Sequence, residues 1–178
     1  MFLTRSICRA DSARVEFGSD LTGRDIETLA NEPGLKVLQA SSPVSDSTWS
    51  MLNSRFFQHR PDVELRVYGF YGSECDLSFA GKMTHVRRFS ADCLMKTKHV
   101  ECIADIPHLE SLSLGIFELQ DFDVLRSITP NLTALSLGAT RSKKPDLAPL
   151  GRFGCLKKLF IESFPSVTPA DTGYAFLE

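Results

Sequence analysis

LESLSL at residues 109–114, LTALSL at 132–137 and LKKLFI at 156–161 are versions of one phrase, and its recurrence decides how the chain folds. Each version carries large apolar residues at its first, fourth and sixth positions. VRRFSA at 86–91 and LKVLQA at 35–40 keep the phrase with substitutions. Further out, Leu65 and Val67 match its second half, with Asp62 at the first position. Val15 and Phe17 do the same, with Ser12 at the first position. The first positions are 12, 35, 62, 86, 109, 132 and 156, so the steps are 23, 27, 24, 23, 23 and 24 residues. Self-similarity at a near-constant period marks a chain that stacks one small unit on the next.

Within the phrase, the fourth and sixth positions alternate with polar or small neighbours. A period of two predicts a short strand with one face buried. Leu112 and Leu114 then point inward while Ser111, Ser113 and Gly115 point out. A second series supports the period: Leu77, Ala80 and Met83, then Val100, Ile103 and Ile106, then Leu147, Leu150 and Phe153 precede successive phrases. Pro33, Pro107 and Pro130 stand just before phrases and end the preceding turn, because proline lacks a donor and disfavours helix in the residue before it. The return segments differ among themselves. Residues 25–32 predict a short helix with Thr22 or Ser19 as its cap. Residues 48–60 predict the fullest helix, and 122–128 a similar, shorter one. The spacing of three in Leu147, Leu150 and Phe153, with Pro149 inside it, suits a 3₁₀ turn.

On these phrases the chain resembles the leucine-rich-repeat family over nearly its whole length. The stretch 146–161 is similar to the short repeats of internalins and of phosphatase-regulating leucine-rich proteins. The resemblance implies an α/β solenoid: a curved parallel sheet on the concave side, with short helices, 3₁₀ turns and loops on the convex side. It implies one domain over residues 1–178, with 1–11 as an N-terminal cap and 165–178 as a C-terminal cap. The sequence departs from the family at one place. The Asn or Cys usual three residues after the strand is replaced by Asp20, Pro43, Phe70, Leu94, Phe117, Thr140 and Phe164.

Composition narrows the function. Among 178 residues, 43% are apolar and 24% charged, which is ordinary globular usage. The net charge of −2 provides no basic excess for nucleic-acid phosphates. No apolar run approaches the ~20 residues of a membrane helix. Five unevenly spaced cysteines read as thiols in a reducing compartment, which predicts a cytoplasmic protein.

Facing out from the expected sheet are two groups of side chains suited to recognition. Glu64, Arg66, Tyr68, Arg88 and Asp92 form a mixed-charge patch with one aromatic. Lys158, Phe160 and Glu162 form a smaller one. Between them lie Ser111, Ser113, Gly115, Ala134, Ser136 and Gly138, a floor of small residues. Arginine and tyrosine are frequent interface anchors. The sequence-based expectation is a non-catalytic module that binds a protein partner on the concave face, as inhibitor, regulator or adaptor, without cofactor or metal. One alternative is a hydrolase or metal-binding protein using Cys93, His99, Cys102 and His108, although C-x5-H-x2-C-x5-H is not a usual zinc spacing. Another is a structural unit that assembles end to end, so that the chain is a monomer or a weak homodimer. No phosphate-binding loop, dinucleotide fingerprint, HExxH or nucleophile elbow is present.

Overall fold

The structure, a computed structural model, describes residues 7–142 and 145–162. The expected C-terminal cap at 165–178 and the first six residues of the expected N-terminal cap lie outside the described residues.

An eight-stranded sheet organises the chain. Its strands are β1 (Ile7–Arg9), β2 (Arg14–Phe17), β3 (Val37–Ala40), β4 (Glu64–Tyr68), β6 (Arg88–Leu94), β8 (Ser111–Ile116), β9 (Ala134–Leu137) and β10 (Lys158–Ile161), adjacent in that order. β5 (Cys75–Asp76) and β7 (Thr97–Lys98) form a separate two-stranded ribbon. From β2 to β10 the pairing is parallel. Leu38, Leu65, Phe89, Leu112, Leu135 and Leu159 occupy partner positions on successive strands. All but Leu159 are buried. Each residue with its side chain inward meets its equivalent one strand away, so burial is shared between neighbours and no unit closes its own core.

The expected leucine-rich-repeat solenoid is nevertheless not what these strands build. The sheet is mixed and does not curl, and its helices are placed irregularly. Two physical causes are visible. First, β1 runs antiparallel to β2. Asp11 makes the turn between them: its carboxylate accepts the backbone N–H groups of Ala13 and Arg14, both at 2.8 Å. The N-terminal edge is therefore a hairpin and not another parallel rung. Second, the return segments are of different kinds. After β2 comes an α-helix, α1 (Gly23–Ala30), started by a capping box between Thr22 and Asp25. After β3 comes α2 (Asp46–Met51), which runs on as a π-helical turn at Leu52–Phe57. Later returns are 3₁₀ turns at Ser78–Lys82, Val100–Asp105, Asp123–Arg126 and Ala148–Arg152. Solenoid curvature accumulates from a constant rotation per repeat. Segments of such different width and rise supply no constant rotation.

The ring–ring contacts of the core lie under the first half of the sheet. Trp49 stacks on Phe79 with ring centroids 3.9 Å apart, and Phe17 meets Trp49 edge-on at 5.6 Å. Phe56 and Phe57, from the π-helical turn, are wholly buried beside them. Phe70 is core as well, held in a left-handed backbone conformation, while its neighbour Tyr71 projects into solvent at 85% exposure.

Candidate functional site

The larger of the two expected clusters lies on the neighbouring strands β4 and β6, where Arg66, Tyr68 and Asp92 bind within it and Arg88 stays exposed. Asp92, on β6, receives Nε and Nη2 of Arg66, on β4, at 2.9 and 2.8 Å. Arg66 also donates to Gln39 Oε1 at 3.2 Å and lies over the Tyr68 ring, 4.5 Å from its centroid. Tyr68 donates its hydroxyl to Glu16 at 2.8 Å, and Ser41 donates to the same carboxylate. Ser90 donates to the second oxygen of Asp92 at 3.1 Å. The chain of contacts thus runs from β2 to β6. Burial, together with the bond to Glu16, pushes the Tyr68 phenol above its ordinary range. Glu64 differs: among the described residues its carboxylate accepts no hydrogen bond. Burial pushes that carboxyl up from its usual range; the charge of Asp92 adds to the effect, while Arg66 and Arg88 oppose it.

The second cluster stands apart. Lys158, Phe160 and Glu162 belong to β10 and the residue that follows it. From β4 to β10 there are four inter-strand steps, roughly 19 Å. The two clusters are therefore well separated at β4 and meet only through Asp92 on β6, which shares a cavity with Phe160 and Glu162. Phe160 is 62% exposed, and Glu162 accepts the backbone N–H of Ala139 at 2.8 Å.

The expected small-residue floor, through Ser113, Gly115, Ser136 and Gly138, becomes part of a site at the carboxyl ends of β6, β8 and β9, beside β10. A cavity of about 350 Å³ opens there, bounded by Met95, Phe117 and Phe160, with Asp92, Cys93, Gly115, Gly138, Ala139 and Glu162 among its walls. Met95, Phe117 and Phe160 are 60%, 47% and 62% exposed. Local backbone geometry creates this groove. Between Ala91 and Leu94 the register slips, three steps on β6 matching two on β8. Cys93 takes a left-handed conformation there. The extra residue turns Leu94 inward, where it is buried, although strict alternation would aim it out. The floor is bare because nothing larger fits. A Cβ on Gly138 would sit 2.9 Å from the Gly115 Cα, and one on Gly115 would sit 3.2 Å from the Asp92 Cβ. The phrase-by-phrase reading kept a fixed period and so had no means of locating a bulge. Phe117, an aromatic where the repeat pattern expects a polar turn residue, is a further signal beside the small-residue floor.

The Cys/His set does not assemble. His99 pairs with Asp76 through Nδ1 at 3.0 Å. Asp76, which also accepts the Ser78 N–H, is held down to about 2 by that backbone bond first and by His99 second. Burial pushes the Cys75 thiol up to about 12, so it is no nucleophile near neutral pH. Among the described residues no group of three or more His, Cys, Asp or Glu could hold a metal ion.

The functional expectations are corrected accordingly. Docking on a concave sheet face falls because the sheet presents no such face. The hydrolase or metal-site alternative falls because its residues do not meet. The end-to-end repeat unit falls with the regular repeat it required. No helix among the described residues is long and apolar enough to cross a membrane. Compared with known proteins, the chain matches no family model and no curated protein.

Proposed function

We propose that this chain binds another protein by accommodating an extended segment of it in the groove at the carboxyl ends of β6, β8 and β9. It acts by recognition and not by catalysis. One observation carries the reading: Met95, Phe117 and Phe160, from three different strand ends, all expose large apolar side chains around the same 350 Å³ cavity. Scattered single apolar residues on a surface need no explanation, but a group converging on one concavity marks an interaction site. Exposed thiols at Cys8, Cys93 and Cys155 support a reducing compartment such as the cytoplasm as the place of work.

The test is affinity capture from the native cell with three baits: wild type, the double variant Phe117→Ser/Phe160→Ser, and Arg88→Ala on the sheet face. A partner held by wild type and by Arg88→Ala, and lost by the double variant, is the expected result. A partner retained equally by all three overturns the placement, and so does the absence of any specific partner.

A further inference from the structure

The groove has an uneven charge. Its lining includes two carboxylates, Asp92 and Glu162, and no lysine, arginine or histidine. Asp92 is neutralised by Arg66 at 2.8 Å. Glu162 has no cationic partner among the described residues, and one of its oxygens is already used by the Ala139 N–H. Among the described residues its negative charge is therefore uncompensated at the edge of an apolar cavity. Phe160 stands two residues before it on the same side of the strand, about 7 Å away along the chain. Its 62% exposed ring offers a face to a cation, which aromatic quadrupoles attract.

We infer that the segment taken by this groove carries a lysine or arginine beside a large apolar side chain, the cation set against Glu162 and Phe160 and the apolar group between Met95 and Phe117. This rests on the groove reading above and specifies the chemistry of its occupant. Lys158, two residues before Phe160, fixes the direction by repelling the cation from that end of β10. A charge-assisted bond to Glu162 is stronger than a neutral one and sets which segments are accepted.

The experiment pans the purified full chain against phage displaying random dodecapeptides, then measures the enriched peptides by calorimetry. Enriched sequences are expected to place Lys or Arg within two residues of Leu, Met or an aromatic. Glu162→Gln keeps an oxygen for the Ala139 N–H while removing the charge, so the fold is preserved. It should weaken binding about three- to fivefold, as for a solvent-exposed ion pair. Glu162→Lys should weaken it about tenfold or more, and a peptide with its cation changed to Glu should bind that variant better than it binds wild type. Peptides enriched without a cation, yet lost on Phe160→Ser, overturn this inference and leave the groove standing. Peptides indifferent to Phe160→Ser, or no enrichment at all, overturn both.

Discussion

The two halves of the sheet's outward surface use similar residue types to opposite ends. Across β2, β3, β4 and β6, Glu16, Gln39, Arg66, Tyr68 and Asp92 form one connected circuit of hydrogen bonds and a cation–π contact. Across β8 and β9 the outward positions are small, and the large side chains at the margin, Phe160 on β10 among them, remain in solvent. A dense set of charges with a tyrosine is the pattern that sequence reading ranks as an interface. Here it ties strands together. Groups that satisfy one another have already been desolvated for that purpose, and a partner would have to break the bonds to use them. The sparse half, which offers little to a search for chemistry, is the half left free to bind.

Both halves sit on one shared core, and the largest effect expected is where they join. Phe89 and Leu112 lie at partner positions on β6 and β8 and are each 1% exposed. Truncating either to alanine should destabilise the protein by about 2–5 kcal/mol, since the neighbouring strands hold the cavity open. Thermal or urea unfolding measures it. A loss below ~1 kcal/mol in both would show that the halves are independent and would dissolve the comparison. Arg66→Ala probes the first half alone. It strands Asp92 with its charge and removes the cover from Tyr68, for an expected loss of about 1–3 kcal/mol, between the values for exposed and buried pairs. A loss no greater than that of an ordinary surface substitution would mean the circuit is ornamental to stability.

How far the sequence carries the reader can be judged on particular residues. The alignment of Leu65, Phe89 and Leu112 on adjacent strands was legible, because alternation and a period near 24 residues leave few other registers. The architecture around them was not. Whether a rung is parallel or antiparallel depends on the turn, and the turn at Asp11 looked like part of a cap. Whether rungs curl depends on the shape of each return. The π-helical turn at Leu52–Phe57 has no sequence pattern that distinguishes it from an ordinary helix. The groove was hidden for the same kind of reason. It exists because one extra residue at Cys93 changes which side chains face out, and periodic reasoning assigns faces by counting. The residues that line it were largely in view: Asp92, Phe160 and Glu162 were singled out and the small floor of Ser113, Gly115, Ser136 and Gly138 was expected, while Met95 was not.

Glu64 sharpens the contrast from inside the paired half, as a carboxylate there without a hydrogen bond. Burial raises its ionisation range in the folded protein above that of the unfolded chain. Below the unfolded value both states are protonated and folding is unaffected. As pH rises through the folded value, the buried group resists ionisation and stability is lost. Glu64→Gln should therefore raise the melting temperature at pH 7, and the gain should disappear near pH 4. A variant equally stabilised at both values, or destabilised at pH 7, would show that Arg66 and Arg88 outweigh burial at this position.

Phe160→Ala and Phe117→Ala should have the smallest effect on folding and the sharpest bearing on function. They are 62% and 47% exposed, so roughly half or more of their apolar surface meets water in the folded and unfolded states alike. Truncation then removes little burial, and each should alter stability by no more than about 0.5 kcal/mol, the usual range for surface positions. The same substitutions delete two of the three apolar groups around the cavity. A groove used for recognition loses its ligand without losing its fold; a groove that is merely uncovered core loses stability as Leu112→Ala does. Measuring both in one set of unfolding curves distinguishes the two, because the halves of the sheet differ in whether their outward side chains serve the chain itself or something beyond it.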